Sequence, residues 1–545
     1  MSTNNKKKYY GWGDINVKYP LDNKFLAYLN KELNMKKAKA FGTCDLKEIK
    51  IHDSKISTAV KNEFIDIVGA EFVADDQETR ILNSFGKSYK DLIRIRKGAL
   101  GLACDIVIYP KSTEETLKIV QKAYENNLNI ITRGGGSSVL SGVNPIISPT
   151  IILNLDYLDR ILEIDKHSQV VRAYAGILGP MLEEELNAEG YTLGHFPQSF
   201  EYSSLGGWIA SKSAGQFSSF YGNIEDLVSS LKVVNPMGVF ESKQIPSSAA
   251  GPCLKDLFIG SEGAFGVITE ATMKIRKLPE KMDFSGVYFS TFEAGINASR
   301  EMYQGGIKPL LLRLSDVKET EVFFKLGLIA HGMKDWFKKS AGKLYFKAKG
   351  WHEGEGAIMM LGFLSNDPNK KAAFSVIKNY SGINLGETIG KNWYKDRFKH
   401  PYLRDSLINK RFFVDTFETA TNWKNIDPLY RNIEEAINDE FSKMGLKCIV
   451  LTHLSHLYIE GSSLYFTVLA PQIEGQEIRQ WEDVKKTITN TIMKFGGTLS
   501  HHHGVGQDHM PWINEELGDV GMEMLKALKN TLDPKGLLNP GVLVG

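Results

Sequence analysis

Cysteine is scarce in this chain. Four residues in 545 (Cys44, Cys104, Cys253 and Cys448) lie far apart, with no Cys-x-x-Cys pair. That spacing excludes a disulfide framework or a cysteine-built zinc ribbon and fits free thiols in a reducing compartment. Excess charge is missing too: 66 Lys and Arg face 64 Asp and Glu, a formal net charge of +2. Such a balance leaves no bulk electrostatic footprint for nucleic acid, and none is expected as a partner. No uninterrupted apolar run approaches the ~20 residues that a membrane-spanning helix needs. The basic stretch Met1–Lys8 is followed by no apolar h-region, and Leu543-Val544-Gly545 does not match the peroxisomal tripeptide. The expected compartment is the cytoplasm, with peripheral membrane attachment left open. Low-complexity segments and internal repeats are also missing. What remains is an ordinary globular balance, 42% hydrophobic and 24% charged, over a length that suggests two or three domains.

Residues 1–95 read as an N-terminal helical arm, with helical spacing over Asp22–Asn34 and Asp75–Phe85. From Asp105 the pattern sharpens. Asp105–Tyr109 reads as a buried strand stopped by Pro110, Ser112 caps a helix running through Leu117, Ile119, Val120 and Ala123, and Asn129–Thr132 is a second strand. It runs directly into Arg133-Gly134-Gly135-Gly136-Ser137-Ser138-Val139-Leu140-Ser141-Gly142. Consecutive glycines let backbone N–H groups converge into a nest for phosphate oxygens, with Arg133 and the serine hydroxyls as added donors. No Lys-Ser/Thr follows, so the loop is not a P-loop, and its spacing is not that of a Rossmann turn. Alone, it is either an anion nest or a plain turn.

Ile151–Leu155 and Gln169–Ala175 bracket a turn and are expected as paired strands, followed by a helix from Gly176. Gly194–Gln216 is dense in glycine, serine and aromatics with little charge, as backbone packed against a flat ligand would be. Leu257–Glu270 adds another glycine turn into a strand. In 279–500, strand-like runs (Phe284–Phe289, Ala357–Leu364, Leu464–Leu469) alternate with helical ones (Ala372–Tyr380, Leu429–Met444). Near the end, Ser500-His501-His502-His503-Gly504-Val505-Gly506 sets three of twelve histidines side by side. Imidazole titrates near neutrality, so the run suits proton transfer, anion binding or metal ligation. If it lies on a strand, His501 and His503 share a face and His502 points away. A metal would need further ligands such as Asp508, His509, His453 or His456, and no metal is expected.

Four motifs, Arg133–Gly142, Gly194–Gly215, Tyr221–Asp226 and Gly260–Glu270, resemble in order and spacing the FAD domain of the vanillyl-alcohol oxidase / p-cresol methylhydroxylase superfamily. Within it, Ser204–Ala210, Tyr221–Val228 and Ser500–Gly506 resemble the alkyldihydroxyacetonephosphate synthases. The oxidising relatives carry Glu-His-Gly near that last position. The resemblance implies an α+β fold: a two-subdomain p-cresol methylhydroxylase-type FAD-binding domain (96–278), an α+β cap (279–500) and a C-terminal segment (501–545) packing back on the FAD domain. It implies non-covalent FAD, since Ser137 and Ser138 stand where covalent members often carry histidine. Pyrophosphate contacts carry over to Arg133, Gly134, Gly135, Gly136, Ser137 and Ser138. Flavin contacts carry over to Pro197, Ser199, Ser203, Gly206, Gly207 and Ser213, and to Glu262, Gly263, Gly266 and Ile268. Tyr465, His501, His502 and His503 take the catalytic positions, while Arg404 and Arg313 take substrate-binding ones, with Arg404 on the substrate phosphate.

The activity so implied is redox-neutral. A long-chain alcohol replaces the acyl chain of acyl-dihydroxyacetone phosphate through an adduct at flavin N5, with both lipids as partners. Trp336-Phe337 and Phe412-Phe413 are candidates to line an apolar tunnel. A homodimer stays open. The competing reading is a FAD-dependent dehydrogenase or oxidase of a 2-hydroxy acid or related alcohol. After Gly506 the chain reads Gln507-Asp508-His509-Met510, where animal synthases continue with Lys and Arg.

Overall fold

The computed structural model describes residues 7–35, 39–326 and 356–544. Trp336 and Phe337 lie outside the described residues. In chain order the strands are β1 (Val73–Ala74), β2 (Ile106–Ile108), β3 (Asn129–Arg133), β4 (Thr150–Asn154), β5 (Ile161–Asp165), β6 (Val170–Tyr174), β7 (Tyr191–Thr192), β8 (Val228–Asn235), β9 (Gly238–Glu241), β10 (Val267–Lys274), β11 (Arg276–Lys277), β12 (Met282–Phe289), β13 (Leu311–Ser315), β14 (Ala357–Leu364), β15 (Ile383–Gly386), β16 (Phe412–Asn422), β17 (Ile449–Leu457) and β18 (Gly461–Pro471). They form sheets ordered β1-β2-β4-β3, β5-β6-β10-β8-β9 and β15-β12-β14-β13-β17-β18-β16, with a short β7–β11 ribbon.

In the first sheet β2, β4 and β3 run parallel. All five residues of β4 are buried, as the unbroken apolar run Ile151–Leu153 requires of a strand covered on both faces. Ser112 caps the crossover helix Thr113–Glu125 by accepting from Glu115 N. The pairing expected between 151–155 and 169–175 is not present. β4 stays in the parallel sheet, whereas β6 pairs with β5 and β10 in the antiparallel one. The N-terminal stretch is not wholly helical, because β1 extends the first sheet. Its helix Asn23–Glu32, capped by Asp22, sends Phe25 and Leu29 into the apolar core of the seven-stranded sheet. At the other end of the chain, Leu537 and Asn539 bond to Ile130 of β3.

The seven-stranded sheet is antiparallel, and its two faces divide the labour. The helix Ile426–Lys443 buries Ile426, Leu429, Ile433, Ile437 and Phe441, a single stripe at three- and four-residue spacing. Phe417, Phe466 and Leu464 meet that stripe. Residues one step along each strand therefore point to the opposite side. Phe412 and Phe413 are fully buried in the same core, with Phe413 against Tyr89 (5.0 Å) and Phe441 (5.5 Å). They fill the core rather than line a tunnel.

Candidate functional site

On the face away from the helices, strand register builds a row of reactive side chains. Glu418 of β16 lies opposite Tyr465 of β18, and Tyr465 opposite His453 of β17. His453 in turn lies opposite Ser315 of β13, two residues from Arg313 on the same face. Tyr465 stacks on His453 at 4.8 Å between ring centres and on His502 at 5.9 Å, and meets His503 edge-on at 5.6 Å.

The histidine run is not a strand. Its backbone wraps around the buried carboxylate of Glu418, which accepts N–H bonds from His501 (2.7 Å), His502 (3.2 Å) and His503 (2.9 Å) and the Ser500 hydroxyl proton (2.7 Å). These donors have no ladder partner, so the carboxylate decides the conformation and the alternation of faces is lost. Burial works against the charged form of Glu418. The charge of His502, His503 or His501, felt when one of them carries a proton, and the Ser500 hydroxyl outweigh it, holding the carboxyl well below its ordinary range. The rings are themselves pushed down by burial, His501 and His502 to about 4 and His503 in the same direction. At neutral pH the arrangement is one fixed carboxylate among neutral imidazoles, with backbone and hydroxyl donors balancing its charge.

Hydrogen bonds give this wall a direction. Asn223 Nδ2 donates to the Tyr458 hydroxyl (2.9 Å), so Tyr458 donates to His501 Nε2 (2.6 Å). His501 then carries its proton on Nδ1 and donates to His502 Nδ1 (3.0 Å), leaving the His502 proton on Nε2. Beside it, Arg313 donates to His453 Nε2 (2.8 Å) and to Glu319 (2.8 Å), and His453 Nδ1 faces Glu319 at 3.2 Å. The guanidinium of Arg313 is thus committed to Glu319 and His453, which it orients. Arg404, on the helix His400–Asn409, donates to Lys87 O (3.0 Å), and its charge is felt at His503.

The wall also docks on the glycine motifs. Glu262, buried and pushed up to about 7 by that burial, accepts from the N–H groups of Val505 and Gly506. Gln507 N and Asp508 N donate to Leu140 O of the first glycine loop. Asp508 also pairs with Lys90 at 2.6 Å, so the departure after Gly506 stitches the run to the neighbouring domain. His509 donates to Gly504 O (3.0 Å) and faces Lys485, whose ammonium burial pushes down to about 8.

The residues expected to hold a flavin divide into two groups. Gly134, Gly135 and Gly136 lie where a Cβ would strike Ser204, Tyr202 O or the Arg133 guanidinium. Gly207 faces more open space, with its nearest atom at 3.2 Å, and so does Gly142, which is not among the expected contacts. Gly135, Gly136 and Ser137 line a narrow cleft with Arg133 and Tyr202, and Gly142 meets Glu262 and Ser138. Gly206 against Ala175, Gly266 against Val233, and Ile268 inside the core are instead packed into the sheet and shape the backbone. Ser203 is held by Ser199 and Trp208, and Ser213 by His195. A concave glycine surface with N–H donors and a neighbouring arginine fits a dinucleotide pyrophosphate. Gly135→Ala would drive its Cβ into the Tyr202 carbonyl, so it should lose FAD together with some stability, checked by flavin absorbance alongside melting temperature.

Sequence reasoning missed Glu418, Tyr458 and Glu319. Ring nitrogens of His456, His501 and His502 also lie within 4.8 Å of one another, a spacing a metal could span. The buried imidazoles predict acid lability. Their folded-state values near 4 lie below the unbound 6.5, so the unfolded chain takes up more protons between those pH values. Stability should be full above pH ~6.5 and fall towards ~4, and His502→Gln should flatten that slope in a melting series.

Two family descriptions match the chain: "FAD binding domain" over residues 104–242 and "FAD linked oxidases, C-terminal domain" over 278–543. Alkyldihydroxyacetonephosphate synthase from Dictyostelium discoideum is 33% identical over 492 residues, covering 88% of this chain and 80% of that one. A solved alkyldihydroxyacetonephosphate synthase superposes with TM-score 0.86 at 29% identity, covering 99% of both chains. p-Cresol methylhydroxylase shares the fold, with TM-score 0.67 at 11% identity over 91% of this chain and 98% of that one. FAD is the cofactor that these domains carry, and no helix among the described residues is long and apolar enough to cross a membrane. The chain belongs to the alkyldihydroxyacetonephosphate synthase family.

Proposed function

We propose that this protein is a FAD-dependent alkyl transferase that replaces the acyl chain of acyl-dihydroxyacetone phosphate with a long-chain alcohol, without net redox change. The observation that carries the reading is the directed row Asn223–Tyr458–His501–His502, set beside Tyr465 and Glu418 over the glycine surfaces. When bound, FAD supplies an electron-accepting ring. The chain supplies proton handling. A neutral imidazole of the run takes a proton from the substrate carbon, and the resulting imidazolium is stabilised by the Glu418 carboxylate. The same groups return the proton after the fatty acid has left and the alcohol oxygen has formed its bond to that carbon. The alcohol's own proton balances the departing carboxylate. Tyr465, its phenol pushed up to about 12 by burial, rests protonated against His502 and His503 and relays a proton to or from them. Arg404 binds the substrate phosphate through a planar guanidinium suited to bidentate contact. FAD is held non-covalently, with Ser137 and Ser138 offering hydroxyls. The histidine cluster works with protons rather than a metal, so exhaustive chelation should leave turnover unchanged. The exposed apolar pair Val520 and Met524, one turn apart on the helix after Gly518, supports peripheral contact with a lipid surface.

Incubating the FAD-loaded protein with palmitoyl-dihydroxyacetone phosphate and labelled hexadecanol tests the reading. It expects a labelled ether and one free acid per ether. A fully loaded protein that makes no ether would sink it in favour of a dehydrogenase.

A further inference from the structure

Three cations stand around the first glycine loop with backbone carbonyls, not carboxylates, as their hydrogen-bond partners among the described residues. Lys87 Nζ donates to Lys8 O (2.9 Å) and Tyr9 O (3.4 Å), Arg133 Nη1 to Phe85 O (2.9 Å), and Arg404 Nη2 to Lys87 O (3.0 Å). Arg404 Nε is buried with no partner. Lys7 joins them, its ammonium 5.9 Å from the centre of the Tyr202 ring. These four cations come from four separate stretches of chain.

Residues 7–14 form a tight strap that brings Lys7 there. Lys8 N bonds Gly13 O (2.7 Å), Trp12 N bonds the Asp405 carboxylate (2.7 Å), and Asp14 N bonds the Tyr202 hydroxyl (3.0 Å). A side chain at Gly11 or Gly13 would collide with Asp405 or Tyr402, so the strap is seated against both the cap helix and the second glycine segment. Lys87 is the hub. Its own N–H bonds Ser138 O at the end of the glycine loop (2.6 Å), while its side chain holds the strap. Between strap and loop lies a narrow cleft lined by Lys7, Lys87, Arg133, Gly135, Gly136 and Ser137.

Gathering like charges away from water is costly unless anions complete the set, and two carboxylates, Asp156 beside Lys7 and Arg133 and Asp405 beside Lys87 and Arg404, leave the four cations in excess. The strain is visible at Lys87, whose ammonium is pushed down to about 7 by burial and then by Arg133, with Arg404 and Lys7 adding to it and Asp405 opposing. We propose that Lys87 and Lys7 are phosphate ligands, completing with Arg133 and Arg404 a phosphate site at the mouth of the glycine loop whose outer wall is the strap. The part of this inference that concerns Arg404 rests on the function proposed above. Phosphate chemistry has two sources here, the pyrophosphate of FAD and the phosphomonoester of the substrate.

The test uses Lys87→Met, Lys87→Arg and Lys7→Met, with Lys61→Met at an exposed pair with Asp75 as control. Apoprotein is titrated with FAD by fluorescence quenching, and FAD-loaded protein with dihydroxyacetone phosphate by thermal shift. Lys87→Met is expected to weaken one of the two at least about tenfold, Lys7→Met to weaken the same one less, and Lys87→Arg to retain most of it. A loss confined to FAD assigns the pyrophosphate, and one confined to dihydroxyacetone phosphate assigns the substrate. Both affinities within twofold of the parent in the two methionine variants would overturn the proposal. Should Lys87→Met not fold, Lys7→Met decides alone, since the Lys7 ammonium meets the Tyr202 ring at 5.9 Å while the strap is held through Lys8, Trp12 and Asp14. A failed transferase reading shows instead as no ether from the unaltered protein, with the FAD titration intact.

Discussion

Glu418→Gln is expected to lower turnover by about two orders of magnitude or more while FAD content stays at the parent level. The glutamine keeps the shape of the side chain but offers one acceptor oxygen where the carboxylate offered two, to four donors from Ser500, His501, His502 and His503. It also removes the charge that stabilises an imidazolium once a proton has been taken. Both effects fall on the histidines and neither touches the glycine loops, so loss of activity should separate from loss of flavin. Glu418→Ala goes further. It strands several buried donors, each worth about 1–3 kcal/mol when unsatisfied, so a stability loss of about 3 kcal/mol or more should accompany the lost activity. A turnover number for Glu418→Gln within threefold of the parent would remove the carboxylate from the account.

Tyr465→Phe carries the second large effect. The phenol lies between Glu418 and His453 in the strand register and stacks on His502. Phenylalanine preserves the stacking area and the sheet, so melting temperature and FAD binding should stay near the parent. Turnover should fall about 10²-fold, the lower range for removing a positioned proton-handling group. The contrast with Tyr458→Phe is informative. Tyr458 fixes the His501 tautomer through one hydrogen bond, so its loss should displace the pH profile of turnover as well as reduce the rate.

The parts of this site legible in the sequence were those written locally. The strand followed by Arg133–Gly142, the Ser112 cap and the helical stripe from Leu429 all follow from neighbours within a few residues, and the structure places each as expected. The histidine run was legible as a reactive feature but not in its conformation. Strand alternation presumes that backbone donors find a ladder, and here they find Glu418, more than eighty residues earlier in the chain. Glu418 itself left no mark, since Val414–Ala420 carries two acidic residues, Asp415 and Glu418, and nothing local tells either from a solvent-facing position. Its role exists only through the register that sets it opposite Tyr465. The misplaced pairing of Ile151–Leu155 has a physical cause as well. An unbroken apolar run belongs to a parallel sheet covered on both faces, and nearness in sequence to β6 outweighed that signal.

In the proposed mechanism this histidine wall moves protons over a flavin that ends each turnover oxidised. Anaerobic mixing of the FAD-loaded protein with acyl-dihydroxyacetone phosphate and a long-chain alcohol, with flavin absorbance and products followed together, tests it most directly. Ether and free acid should form in equal amounts, the oxidised flavin spectrum should be recovered without any added oxidant, and alcohol alone should leave the spectrum unchanged. Flavin that bleaches with the alcohol alone and recovers only on admission of oxygen would contradict it.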